Sequence, residues 1–457
     1  MNSIWEVIDK AETGAFMEEK DFDLKVVARL CRELVKEHGI KYDPSQIVSA
    51  DDSMADDVFE AGMKLALEAG AYCIDTKRVI KFDEAELKEA LLSAPKSIII
   101  GEGKDSRVLY ARGVEDQRPA IICGGQAGAA IPEEWYLPMA ISYMKEPLID
   151  MINNGGLAMV EGRKVRTKTP LEIQACRREL TMLREAAARA GRPGIGFIAA
   201  ESSVSALGDL AIAHERYMRK SDSHLVALLN ELKTDFDRIS KVVNFTEYGA
   251  FNCTLVDPII GGYAGGPEGV AVCFVASFLL GRAMYRSEFH VCHPIHFKYM
   301  STSAPECMWN LNIVGQAMAR NAPFIIMGDV WTSAGAGSEM VFYEAAANTI
   351  TNVVTGSHPL GVSATNGKYP HASGLETRFM AEVAHAVARS RMTRERANEV
   401  VVALANEYRD KQGKPDIGKP FPELYDTRKV VPNKEWVEVY LKMRKEIAEK
   451  FDLDLLY

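Results

Sequence analysis

Residues 175–200 read ACRRELTMLREAAARAGRPGIGFIAA: a stretch of helical character, a stop at Gly191–Pro193, then a short apolar run ending in small residues. Glycine and proline together punctuate a helix, and a brief apolar run beyond such a stop reads as a buried strand. The same alternation extends in both directions. The runs PAIICGG (119–125), LIDMINN (148–154), GIGFIAA (194–200), HLVALLNE (224–231), FNCTLVD (251–257), EFHVCHPIHF (288–297), PFIIMGDV (323–330) and HPLGVSATN (358–366) are each followed by a helical stretch. Strands alternating with helices imply a parallel sheet with right-handed crossovers. Eight units in series predict an α/β fold of the TIM (β/α)8 type. A doubly wound sheet is the rival, but GGQAG (124–128) lacks the spacing of its glycine fingerprint.

Outside this repeat the pattern changes. Residues 1–117 predict an N-terminal helical and hairpin cap: DDVFEAGMKLALEAG (56–70) and FDEAELKEALLSA (82–94) have helical apolar spacing, and AYCIDTKRVIKF (71–82) between them reads as a hairpin. The barrel is expected over 118–402. Residues 403–457 predict a Pro/Gly-rich arm and a final amphipathic helix. The chain has 457 residues, 47% of them hydrophobic, and a net charge of -9. An acidic chain without a Lys/Arg block argues against nucleic acid as a partner. No basic-then-apolar leader and no run of 18 uncharged apolar residues is present, so no membrane span and a cytoplasmic location are expected. The eight cysteines form no metal spacing and read as reduced, buried thiols.

In a TIM barrel the chemistry sits at the C-terminal ends of the strands. Those tips carry Gln126, Asn153, Asn154, Ile198 to Glu201, Asn230, Glu231, Asp257, His296, Lys298, Asp329, Trp331, Thr365, Asn366 and Lys368. This polar crown with an aromatic suits a small polar substrate; capping of the following helices is the alternative for any single Asn or Thr. His290, His293 and His296 cannot all bind one ion on a strand, because a period of two puts 293 on the face opposite 290 and 296. No metal is therefore expected, and His296 is preferred as a hydrogen-bonding wall residue. GEGKDSR (101–107) lacks phosphate-loop spacing. GGYAGG (261–266) suggests close backbone approach to a bulky ligand or partner, or else a tight loop of the fold. Trp331 and Tyr263 could form an aromatic wall for an ammonium group, or simply pack.

Several of these stretches, in order, resemble the monomethylamine methyltransferases of methanogens. They are AGRPGIGFIAAESSVSALG (190–208), SDSHLVALLNELK (221–233), GGYAGG, PIHFKYMSTSAPE (294–306) and SGLETRFMAEVAHA (373–386), with AYCIDTKRVIKF and PELYDTRKVVP (422–432) outside the barrel. The likeness runs from about Asp51 to the C-terminus. It implies a TIM barrel and a homo-oligomer that moves a methyl group from a methylamine to the cobalt of a dedicated corrinoid protein. No cofactor would be tightly bound in this chain; the corrinoid would belong to the partner. The GGYAGG residues Gly262, Tyr263 and Gly265 are the candidates for meeting it.

The resemblance also exposes departures. The family's pyrrolysine position is Ile198 here, and Glu201 matches a family glutamate beside it. Two family carboxylate positions are Leu225 and Leu255. A family glutamine and tyrosine become Asp329 and Trp331. Pyrrolysine is thought, in the family, to hold a methylamine as an adduct, which isoleucine cannot do. Without such activation the leaving group must be good by itself, as when a quaternary ammonium leaves as a neutral amine. The expected activity is therefore pyrrolysine-independent methyl transfer from a small methylated amine, most readily a quaternary one. Asp329 and Glu201 are the candidate catalytic groups; Ile198, Leu225, Leu255, Trp331, Glu231 and His296 are the candidate substrate contacts. Two alternatives stand beside it: a catalytically silent homologue that binds a corrinoid protein, and a metal-dependent lyase or hydrolase using His296, Asp257 and Glu201.

Overall fold

In the computed structural model, which describes residues 3–363 and 365–455, eight parallel strands form one sheet. In chain order they are β1 (Cys123–Gly124), β2 (Met151–Ile152), β3 (Gly196–Phe197), β4 (Ser223–Leu228), β5 (Phe251–Val256), β6 (Phe289–Cys292), β7 (Ile326–Trp331) and β8 (His358–Ser363). Neighbours in sequence are neighbours in space, and β8 pairs with β1. The remaining seam closes where Ile198 bridges to Ser223 and the Ala199 N–H donates to the Ser223 carbonyl at 3.0 Å. A closed sheet has no edge to protect. The outer helices are α1 (Glu133–Met144), α2 (Pro170–Arg189), α3 (Ala206–Ile212), α4 (Phe236–Tyr248), α5 (Pro267–Tyr285), α6 (Pro305–Asn321), α7 (Met340–Val354) and α8 (Gly374–Ser390). This is the expected (β/α)8 barrel.

The lower half of the barrel is sealed with apolar side chains. Met151, Ile198, Cys253, Phe289, Val291, Met327 and Leu360 point inward from the strands. A hairpin, Ser97–Ile100 with Arg107–Tyr110, closes the N-terminal end, adding Ile98, Ile100 and Leu109 to the same cluster. GEGKDSR is the turn of that plug. His358 ties it down, accepting from the Ile121 N–H at 3.0 Å while its Nε2 meets the Tyr110 carbonyl at 2.7 Å.

The expected hairpin at 71–82 forms from Ala71–Cys73 and Arg78–Ile80, and Lys233–Thr234, just beyond β4, pairs parallel with its first strand. The helices Ile4–Thr13, Ala28–Glu37, Asp52–Ala69 and Glu84–Leu92 share one core with α5 and α6. Helix α5 is long and apolar enough by composition to cross a bilayer, yet 94% of that stretch is buried inside the fold. The helix Arg394–Tyr408 runs across residue 403, and the final helix Lys434–Phe451 packs Trp436, Tyr440, Met443, Ile447 and Phe451 inward, at its helical period.

One strand departs from expectation. EFHVCHPIHF is not a single strand: β6 ends at Cys292, and Ile295–His296 pairs instead with Ile259–Ile260 in a separate two-stranded sheet. Pro294 lacks the N–H that would have continued the ladder. The β7–β8 register also slips by one residue beside the site: Asp329 faces Leu360 but Trp331 faces Ser363, with Gly361 at φ 56° taking up the extra residue. Such bulges re-aim side chains where a strand reaches a working surface.

Candidate active site

A cavity of about 180 Å3 opens at the C-terminal ends of the strands. One water needs roughly 10–15 Å3 on this measure, so the space holds a molecule of several heavy atoms. Leu225, Leu255, Val291, Ile295 and Leu360 supply its apolar surface; Asn153, Glu201, Asp257, His293, Asp329 and Trp331 supply the rest of its chemistry.

The centre of the site is a buried pair. Asp329 Oδ2 lies 2.6 Å from His293 Nδ1, and both side chains are nearly closed to solvent. Burial works against the charged imidazole, but the Asp329 charge and hydrogen bond override it and raise the His293 pKa. Asp329 Oδ1 has no hydrogen-bond partner among the described residues. Thr302, from the 294–306 motif, fixes the backbone here: its hydroxyl donates to the Asp329 carbonyl at 2.8 Å and accepts from the Trp331 N–H at 2.7 Å. Asn348 in turn donates to that hydroxyl at 2.8 Å.

Trp331 forms one wall, its ring 4.5 Å from the His293 ring. It stands between two glycines at positive φ, Gly128 after β1 and Gly367 after β8. A Cβ on Gly128 would lie 2.7 Å from the indole Cζ2, and one on Gly367 would lie 2.4 Å from it. The indole thus has one place to go.

Two further carboxylates face the cavity. Burial pushes Glu201 up to about 7; Asp329 adds to the rise, while an Asn153 hydrogen bond and the charges of Lys241 and His293 oppose it. Burial likewise pushes Asp257 up to about 6, against His293 and the Asn230 amide. With Asp329 this makes three carboxylates against one imidazole, and among the described residues no lysine or arginine lines the cavity.

The loops that carry these groups are held by buried glutamates. Glu179 of α2 accepts from the Glu201 and Ser202 N–H groups, both at 2.9 Å. Glu344 of α7 accepts from the Ala334 N–H at 2.8 Å and the Ser303 hydroxyl at 2.7 Å. Glu231 does the same for GGYAGG, accepting from the Ala264 N–H at 2.6 Å.

Of the residues singled out from sequence, Asp329, Glu201, Trp331, Leu225 and Leu255 meet in the cavity. Four placements correct the expectation. Glu231 is 2% exposed and occupied with the Ala264 loop. Ile198 is wholly buried in the apolar layer and does not line the cavity. His296 lies in the separate two-stranded sheet, stacked on Tyr299 and accepting from the Lys298 N–H. Tyr263 does not share Trp331's wall: it is an exposed loop residue beside Lys233 and is not among the residues lining the cavity. Gln126 and Thr365 brace their own loops, and the Asn230 amide donates to the Asp257 carbonyl at 2.8 Å, tying the end of β4 to that of β5. The residue missed is His293. The alternation that separated it from His290 was sound, but the inward face is the one set by Phe289 and Val291, and it continues to 293. His290 instead packs outward between Phe278 and Phe324. Among the described residues, the one set of three metal-type ligand atoms within 4.8 Å of one another is His38, Asp57 and Glu60, outside the barrel.

Titratable and aromatic side chains gathered in a cavity at the strand C-termini define a barrel enzyme that acts on a small molecule. The family model for monomethylamine methyltransferase MtmB matches residues 2–451. Monomethylamine methyltransferase MtmB2 of Methanosarcina acetivorans is 33% identical over 453 residues, 97% of each chain. MtmB1 of Methanosarcina barkeri is 32% identical, covering 99% of this chain and 98% of its own. The crystal structure of Methanosarcina barkeri MtmB superposes with a TM-score of 0.95 at 31% identity, over 99% of this chain and 98% of that one. The chain belongs to the monomethylamine methyltransferase MtmB family and is a methyltransferase.

Two predictions follow from this geometry. Gly128→Ala should cost about 1–3 kcal/mol through backbone strain and overpacking against the indole. In a Trp331→Ala background the overpacking part should vanish, so urea midpoints of the two singles and the double should be non-additive; additive costs would mean that the indole is not clamped. The second concerns pH. Burial raises Glu146, Glu201 and Glu231 to about 7 and Glu179 and Glu376 to about 8, against about 4.3 in an unfolded chain. The folded state then binds more protons than the unfolded one, and stability falls as pH rises through 6.5–8.5. His290 and His358, lowered to about 3, act with the opposite sign only below about 6.5. A thermal midpoint lower at pH 8.5 than at 6.5 is expected; a flat or rising midpoint contradicts it.

Proposed function

We propose that this enzyme transfers a methyl group from a small quaternary ammonium compound to the cobalt(I) of a separate corrinoid protein, without pyrrolysine. The observation that carries the reading is the set of charged groups in the cavity: Glu201, Asp257 and Asp329 against His293, with Trp331 as a wall and no lysine or arginine among the described lining residues. An aromatic face next to excess negative charge is the environment a desolvated organic cation needs. The corrinoid, carried by its own protein, supplies a strong nucleophile and is a co-substrate here.

The chain's residues have three tasks. Trp331, held by Gly128 and Gly367, faces the cation and limits how it can lie. Glu201 and Asp257 balance its charge, and the Asp329–His293 pair fixes the rest of the field. The apolar surface of Leu225, Leu255 and Leu360 excludes water. In the reaction the N–CH3 bond breaks, its electron pair stays on nitrogen, and the donor leaves as a neutral tertiary amine. No proton is needed, so no group must be poised to deliver one. Ile198 stands where the family resemblance puts pyrrolysine, and its complete burial agrees with a site that forms no adduct through that position. A silent homologue would be expected to fill its pocket, and the open cavity counts against that reading. The metal-dependent alternative loses His296, which lies outside the cavity. The homo-oligomeric state rests on the family resemblance, and sedimentation would measure it.

The test is formation of methylcobalamin from cob(I)alamin with tetramethylammonium, choline or monomethylamine. Turnover of a quaternary compound and none of monomethylamine is expected. Trp331→Ala should lower kcat/KM about 2–30-fold, the equivalent of ~0.5–2 kcal/mol of cation–π attraction. Turnover of monomethylamine alone would overturn the reading.

A further inference from the structure

We infer that Phe297 and Tyr369, on the loops after β6 and β8, are the rim contacts for the corrin ring that receives the methyl group. The inference rests on the corrinoid half of the reading above and is independent of which amine is demethylated. The apolar layer and the hairpin plug seal the barrel from below. A cobalt that takes the methyl therefore approaches from the side of the strand C-termini, and the ring around it lies against whatever stands at the mouth.

Two exposed aromatics stand there, on either flank of β7. Ile295 lines the cavity. The N–H groups of Ile295 and Phe297 donate to the Pro258 and Ile260 carbonyls, at 3.4 and 3.1 Å. The backbone is thus extended through 297, and Phe297 shares the face of Ile295, one step further out. It is 74% exposed. GGYAGG takes part through its first glycine, since a Cβ on Gly261 would lie 3.3 Å from Phe297 Cβ. On the other flank Gly367 abuts the Trp331 indole, and Tyr369, two residues on, is 46% exposed. Tyr263, the contact expected from sequence, lines a separate hollow with Cys31, Arg32 and Val35 of the cap.

Single exposed apolar residues are ordinary on a protein surface. These two are also held in place. Beyond Phe297 the chain turns at once, the Tyr299 and Met300 N–H groups returning to the His296 carbonyl at 3.1 and 2.8 Å. The Thr365 hydroxyl accepts from the Tyr369 N–H at 3.0 Å and donates to its carbonyl at 2.6 Å, and the Tyr369 ring stacks on His371. A large apolar group on fixed backbone loses little entropy when it is covered, which is what an anchor for a partner requires. A corrin has a broad conjugated face edged with methyl groups and amides, and aromatic side chains suit such a surface.

Two measurements test the assignment. With hydroxocobalamin as the probe, amide hydrogen exchange of the whole enzyme should slow in residues 297–301 and 366–370. Phe297→Ala and Tyr369→Ala should each raise KM for cob(I)alamin at least about fivefold, the loss typical of an interface anchor. Calorimetry should show their affinity for tetramethylammonium within about twofold of the parent, because neither side chain lines the cavity. An unmoved KM in both variants, or exchange that slows elsewhere or nowhere, overturns the inference. So does a variant that sediments as a smaller oligomer with an unmoved KM, which would assign this face to a second copy of the chain. If tetramethylammonium fails to bind the parent while hydroxocobalamin still protects both loops, the donor reading falls and this inference stands.

Discussion

A barrel whose lower half is packed with Met151, Phe289, Met327 and Leu360 has to place its charges above that layer. In this protein three carboxylates share the space with one imidazole. Burying ions without compensation is costly, and a protein normally pairs them or lets them take up protons. Here both responses are visible. Asp329 is paired with His293, whereas Glu201 and Asp257 are held closer to neutrality, at about 7 and about 6. On the proposed reading, a cationic substrate completes that balance.

The surrounding architecture preserves the arrangement. Glu179, Glu344 and Glu231 each spend a buried carboxylate on the backbone of a loop at the mouth. Their residue type suggests catalysis, but their work is to fix the positions of Glu201, Ser333–Ala334 and GGYAGG. Thr302 and Asn348 do the same for the strand that bears Asp329 and Trp331. The two glycines flanking the indole remove its alternatives. Rigid support of this kind sets the first contacts a substrate meets.

The fold was legible because the barrel repeats one unit eight times, and each repeat is an apolar run followed by an amphipathic helix. The strand tips were legible too, since the fold assigns them a common face. The misplacements came from the tertiary setting, with Pro294 the local signal that marked one of them. His296 looked like a wall residue until the strand broke at Pro294 and turned it into another sheet. Glu231 sits at a strand tip, yet its carboxylate is claimed by an amide 33 residues away. Ile198 is a strand-tip residue by sequence but lies below the cavity surface, in the apolar layer. His293 could have been found by extending the inward alternation of Phe289 and Val291 across the strand end.

The central claim is that a quaternary cation sits against Trp331 among these carboxylates. Tetramethylarsonium has nearly the shape of tetramethylammonium, and its arsenic scatters anomalously. Crystals soaked in it should show one arsenic peak in the cavity, facing the Trp331 ring and flanked by Glu201 and Asp257. A cavity without arsenic, in crystals that show the ion elsewhere or not at all, would contradict the account.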